Sequence, residues 1–344
     1  MRLSLHKVLS LFNRCFALDK PHHVQWMLTR RCNYRCKSCD VWREPKFCEE
    51  LSTEKVKMGL DILRKMGVIE IVLSGGNPLL REDIGEIIDY ASRFFITTVY
   101  DNGSQAARKI DALRNADFVA ISFDTLDEKK YDYLKGVHGA WKNALDAIQT
   151  LRSEGITVGV SPTISQLNLH EILDFTEHFN GKDIPVLYCL YQHDSIEEPM
   201  FHIGERNEEL EIKDKEAFAK ICDALIEKKS EGQEILITKK MLNALKELYL
   251  NGRRTWECKA LQSFFTIDPS GNVAGCHLQK PVATIFDLPH LWNSESFERL
   301  RKTYQACTKC SYMCYLFYSI HANVSGNIEI IKDQWQNAKK LLAS

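Results

Sequence analysis

The stretch RRCNYRCKSCDVW, residues 30–42, sets Cys32, Cys36 and Cys39 at the spacing C-x3-C-x2-C. It directly follows VQWMLT, residues 24–29, an apolar run of strand length. Three thiols on so short a loop can converge on one small object. A tetrahedral zinc ion would ask for a fourth ligand nearby. A cubane iron–sulfur cluster on three cysteines would keep one iron open to a substrate or cofactor. The choice between them turns on what surrounds the loop.

Working outward, strand-like runs recur at residues 68–73, 95–100, 118–122, 157–163 and 186–191, rich in Val, Ile, Phe and Tyr. They lack strict polar alternation, as strands covered on both faces do. Helical patterns separate them. Ser52 is placed to cap the first helix, Val56, Leu60 and Leu63 share one of its faces, and Gly67 ends it. Residues 141–152 repeat the logic, with Gly155 after them. Six β/α units in a row predict a parallel sheet, and six rather than eight predict an open, partial (β/α)6 TIM-like barrel. In such folds the active site lies at the C-terminal ends of the strands, where the cysteine loop falls.

The boundaries read as an amphipathic N-terminal helix at 1–23, the barrel core at 24–200, a helical connection at 201–254 and a cysteine-rich domain at 255–344. The first segment mixes Leu3, Leu5, Val8, Leu9, Leu11, Phe12 and Phe16 with bases. It is too interrupted for a signal-peptide core. It packs on its own domain or touches a membrane surface or partner.

The chain of 344 residues is 44% hydrophobic and 26% charged, with net charge −1. That balance argues against a nucleic-acid binder. No apolar run approaches the ~18–20 residues of a membrane span. Twelve cysteines without an export signal point to metal rather than disulfides. The implied setting is a reducing cytoplasm, with peripheral membrane contact the sharper reading of the N-terminal helix. Cys15, Cys48, Cys189 and Cys222 are scattered and read as small buried hydrophobes.

The cysteine loop after a first strand, followed by LSGGNPLLREDI, resembles the radical S-adenosylmethionine (SAM) superfamily. The resemblance covers residues 24–192. It implies that the open iron of a [4Fe–4S] cluster chelates SAM, and that one electron cleaves SAM to a 5′-deoxyadenosyl radical. It assigns the family's Gly-Gly-Glu-Pro turn to Gly75, Gly76, Asn77 and Pro78, with an amide where the family has a glutamate. VYDNGS makes Asn102 a SAM contact. Ser122, Asp124 and Thr163 match SAM-lining positions on the next strands. Ser38 stands where the family often has an aromatic near the adenine, a place Tyr34 could fill. Arg30, Arg31, Arg35 and Lys37 could steer an acidic electron donor such as flavodoxin or ferredoxin; the plainer reading is a solvated basic face.

A second cluster follows. Cys258 and Cys276 flank a hairpin turning at Ser270 and Gly271, and Cys307, Cys310 and Cys314 come after it. Residue chemistry permits zinc or a fully ligated cluster. The region resembles the SPASM and twitch extensions, which implies one auxiliary [4Fe–4S] cluster on Cys258, Cys276, Cys307 and Cys310. Cys314 is a spare that could replace one of them. The expected function is hydrogen abstraction from a small-molecule or lipid-like substrate, with the catalytic residue beyond the cofactor unassigned. The alternatives are a peptide-modifying maturase and a non-catalytic iron–sulfur or zinc scaffold.

Overall fold

The computed structural model describes residue 7 and residues 20–43, 49–194, 196, 199–308, 311–323, 326 and 330. Cys15, Cys48 and Cys310 lie outside the described residues, as does the expected N-terminal helix apart from Lys7 and residues 20–23, which are not helical and lead into the first strand at His23. The Lys7 ammonium is buried against the Asp117 carboxylate at 2.5 Å, just before the fourth strand.

Five strands, β1 (His23–Thr29), β2 (Glu70–Gly75), β3 (Ile96–Asp101), β4 (Phe118–Ser122) and β5 (Val158–Ser161), lie side by side in chain order and pair in parallel. Each is followed by helix, as the alternating pattern requires. The helix Thr53–Met66 starts at Ser52, whose hydroxyl accepts from the Lys55 amide. It ends at Gly67 in the left-handed region, with φ of 91°.

The fifth expected strand breaks in two. Pro162 has no amide to give the ladder, so β5 stops at Ser161 and a short β6 (Thr163–Ile164) pairs with β7 (Cys189–Leu190). The expected sixth strand shrinks to β7 and single bridges from Val186 to Val160 and Ile235. The barrel is therefore open on this side.

The other edge is extended by the cysteine-rich region. β8 (Phe264–Ile267) pairs in parallel with β1, from His23 opposite Phe264 to Trp26 opposite Ile267. β9 (Asn272–Ala274) and β10 (Ala283–Thr284) continue the sheet antiparallel. The expected hairpin joins β8 to β9. The Asp268 carboxylate accepts from the Ser270 and Asn272 amides, and Gly271 has φ of 86°. The helix Met313–Ile320 packs onto this edge, with Tyr315 stacked on Phe264 at 5.0 Å.

Side chains on the strands alternate between two environments. Val24, Trp26 and Leu28 are buried in the core, whereas His23, Gln25 and Met27 line a cavity inside the barrel. Glu70, Val72 and Ser74 on β2 line it too, as do Ile96, Thr98 and Tyr100 on β3.

Candidate active site and cysteine centres

The cavity measures about 1030 Å³. Cys32, Cys36 and Cys39 all line it, at the C-terminal ends of the strands. Their loop is held by the helix Glu128–Lys135. The amides of Arg35 and Lys37 donate to the Lys135 and Leu134 carbonyls at 3.0 and 2.8 Å. These carbonyls would otherwise be orphaned at the helix end. Gly136, with φ of 63°, permits the approach, since a Cβ there would lie 2.3 Å from the Arg35 carbonyl oxygen.

Burial pushes all three thiols up, Cys36 to about 11. At neutral pH they are thiols until a metal takes them as thiolates and releases their protons. Among the described residues no group of three or more His, Cys, Asp and Glu side chains is drawn together as one metal ion would require. A cubane distributes its thiolates over separate irons. Three part-buried sulfurs on one loop, facing one cavity, fit that donor set.

The turn after β2 locks against the entry to this loop. The Gly76 amide donates to the Thr29 carbonyl and the Asn77 amide to that of Arg31, both at 2.8 Å. A Cβ on Gly76 would sit 2.3 Å from the Arg31 carbonyl oxygen, so only glycine fits. Gly75 and Gly76 line the cavity.

Asn77 is not among the cavity-lining residues. Its Oδ1 accepts from the Leu79 amide at 3.0 Å. Its Nδ2 donates to Asp101 Oδ2 at 3.1 Å, Asn102 Oδ1 at 3.0 Å and Ser104 Oγ at 3.3 Å. The amide thus ties the end of β2 to the end of β3. Burial pushes the Asp101 carboxyl up, against the hydrogen bond from Asn77 and those from the Gln105, Gly103 and Ala106 amides. Asn77→Glu is expected to cost about 1–3 kcal/mol, because it sets a second carboxylate on Asp101 and removes a donor. Asp101→Asn in the same chain should recover most of the loss in denaturant unfolding. No recovery would show that the two side chains do not act on each other.

Asn102 lines the cavity, and its Nδ2 donates to Asn33 Oδ1 at 3.0 Å and reaches Cys32 Sγ at 3.9 Å. Ser122 and Thr163 also line it. Asp124 does not; its carboxylate accepts from the Thr163 amide at 2.9 Å and pairs with the Lys135 ammonium at 2.7 Å, both side chains buried. Sequence reasoning missed Asn33 and Lys135. Lys135 could have been found, since it stands directly before the helix-ending Gly136 in YLKGVHG. Of the expected adenine neighbours, Ser38 and Tyr34 both line the cavity. The loop's bases each have a local partner: Arg31 pairs with Glu50 at 3.0 Å, and Arg35 and Lys37 lie over Trp42 and Tyr133.

In the second centre, Cys258 and Cys276 are buried and Cys307 is partly buried. All three lie near the Tyr304 hydroxyl. Burial pushes that hydroxyl's pKa well up, and negative charge on Cys276, Cys258 or Cys307 would push it further. This hydroxyl accepts from the Gly275 amide at 3.1 Å, and a Cβ on Gly275 would strike the ring at 2.4 Å. Cys314 lies on the wall of the barrel cavity, with its Sγ 3.9 Å from Gln25 Oε1. Cys189 also lines the cavity, beside Ser161, while Cys222 is buried in the helix Lys215–Ser230. Among the described residues no helix is long and apolar enough to cross a membrane.

Comparison with known proteins fits this geometry. Residues 26–179 match the radical SAM superfamily, and residues 258–315 match the SPASM family, an iron–sulfur cluster-binding domain. The chain is 33% identical over 182 residues to the Fe-coproporphyrin III synthase of Methanosarcina barkeri, covering 51% of this chain and 45% of that protein. It is 26% identical over 181 residues to AlbA of Bacillus subtilis, an antilisterial bacteriocin subtilosin biosynthesis protein, covering 51% and 40%. The match thus spans less than half the length of either relative. The fold resembles that of anSMEcpe solved with bound AdoMet and a Cp18Cys peptide. The TM-score is 0.63 at 12% identity, over 93% of this chain and 98% of that one. The cofactors that go with the two matched domains are a SAM-binding [4Fe–4S] cluster, SAM itself and an auxiliary [4Fe–4S] cluster. The chain belongs to the radical SAM superfamily and carries a SPASM iron–sulfur domain after its partial barrel.

Proposed function

We propose that this chain is an enzyme that cleaves SAM reductively and abstracts hydrogen from a small-molecule or lipid-like substrate. Cys32, Cys36 and Cys39 would hold the cluster, which would supply the electron for reductive cleavage of SAM. The chain's own residues do the rest. Three cysteines rather than four leave one coordination position for SAM. The Gly75–Gly76 turn brings backbone to the cavity wall, and Asn102, Ser122 and Thr163 offer polar groups along it. Asp124 orders the Thr163 backbone and is itself held by Lys135. An auxiliary cluster on Cys258, Cys276, Cys307 and Cys310 completes the proposal. An acidic flavodoxin or ferredoxin would deliver the electron at the exposed Arg31, Arg35 and Lys37.

The observation that carries this reading is the cavity. Its volume of about 1030 Å³ stands at the upper end of ligand pockets, room for SAM and a second molecule. Among the described lining residues Lys135 is the one lysine or arginine, and its charge is paired with Asp124. A substrate with a largely apolar body suits such walls better than a polycarboxylate. The likeness to AlbA and to a peptide-bound structure favours a second reading, a peptide maturase.

The test is anaerobic reconstitution with iron and sulfide counted per chain, then SAM and dithionite with assay for 5′-deoxyadenosine. About eight irons and 5′-deoxyadenosine are expected. Iron bound without SAM cleavage, even with cell extract as a substrate source, would instead favour a non-catalytic scaffold.

A further inference from the structure

A short strap runs between the two cysteine centres. At one end the Asp40 amide, next to Cys39, donates to the Ile203 carbonyl at 2.7 Å. At the other the Phe201 amide donates to the carbonyl of His277, next to Cys276, at 3.2 Å. The Met200 amide adds a bond to the Gln279 carbonyl at 2.9 Å. Two hydrogen bonds and three residues therefore separate the neighbour of Cys39 from the neighbour of Cys276.

Packing follows the same line. Met27, Val41, Met200, Phe201 and Ala274 form a small hydrophobic cluster of their own, with Cys39 and Ile203 packed against it. It joins the first cysteine loop to the end of β9, two residues before Cys276. The Arg30 guanidinium lies 4.9 Å over the Phe201 ring and donates to the Met200 carbonyl at 2.7 Å. The Asp194 carboxylate accepts from the Ile203 and Gly204 amides. Gly204 has φ of 134°, and a Cβ on it would meet Asp40 Oδ2 at 3.0 Å. Phe201 and Ile203 also line the cavity.

We propose that residues 200–204 are a positioning strap that sets the separation of the two cysteine centres and walls the cavity between them. The proposal rests on the two-cluster reading above. Backbone hydrogen bonds fix the strap's ends, and the Phe201 ring fixes its depth. Without the ring, Cys39 and Cys276 keep their own loops but lose their common spacer.

The test uses the reconstituted full chain as wild type, Phe201→Ala, Phe201→Leu and Asp194→Ala. Iron is counted in each, the magnetic coupling between the two reduced clusters is read by electron paramagnetic resonance, and amide hydrogen exchange is followed. Phe201→Ala should keep about eight irons, weaken the coupling at least twofold, and speed exchange at residues 199–204 and 274–279 about tenfold or more. Phe201→Leu should restore most of both. If Phe201→Ala loses iron, Asp194→Ala, which frees the strap from outside the cavity, should give the same two changes with iron retained. Unchanged coupling and exchange in every iron-retaining variant would overturn the strap. About four irons in the wild type would overturn the two-cluster reading, and the strap with it.

Discussion

Cys36→Ala is expected to remove about four of about eight irons per chain and to take 5′-deoxyadenosine formation to background. Cys36 is the middle cysteine of the loop proposed to hold the cluster, and its sulfur shares the cavity with those of Cys32 and Cys39. Two remaining thiolates cannot hold a cubane and still orient SAM. Because burial pushes the free thiols up, the apo loop gains nothing from ionising on its own, and loss of one ligand is not offset by its neighbours. The fold should survive, since the loop is held by the Lys135 and Leu134 carbonyls and by the Gly75–Gly76 turn. Cys222→Ala is the control. It removes a sulfur from a buried helical site, costs about 1–2 kcal/mol, and should leave both iron and 5′-deoxyadenosine unchanged. Full turnover in Cys36→Ala would take SAM cleavage away from this loop.

The barrel was legible in the sequence because its signals are local. Ser52 and Gly67 bound a helix by their own backbone chemistry, and the five strands β1–β5 read as apolar runs. Pro162 is equally visible, yet the apolar run continues through it, and a proline's missing amide matters only once its ladder partner is known. The inner face of the barrel was legible in part. His23 and Gln25 alternate with Val24 and Trp26, a period-2 pattern, but the apolar run as a whole points to cover on both faces. It is covered on one side by core and on the other by cavity walls, which composition does not separate. The pairing of β8 with β1 lay beyond reading, since it joins residues more than two hundred positions apart. The role of Asn77 also needed three dimensions. In sequence it is a family glutamate lost; in space it is the amide that Asp101 requires.

Lys135→Met carries the second large expectation, a loss of about 3–5 kcal/mol of stability. Lys135 and Asp124 are both buried, and their ion pair at 2.7 Å closes the end of the fourth strand unit beneath the cysteine loop. Burial disfavours the lysine's charge, but the Asp124 carboxylate, together with Cys36 and Tyr34, holds the ammonium's pKa above its ordinary value. Removing the ammonium leaves a buried carboxylate whose remaining support is the Thr163 amide. Asp124→Asn alone strands the ammonium and should cost a similar amount. Together the two changes remove both charges, so the double variant should regain most of the loss. The sign with pH follows from the raised pKa. The pair's contribution is complete below about pH 10.4, the lysine's unfolded value, and is lost as pH rises through the higher folded one. The difference between wild type and Lys135→Met should therefore stay constant from neutral pH to about 10 and shrink above it. Denaturant unfolding of the apo chain across that range measures it. A strictly additive double variant would show that the pair is not coupled. Weakened SAM binding in Lys135→Met, regained in the double variant, would then trace the pair's effect to the Thr163 backbone that Asp124 holds at the cavity wall.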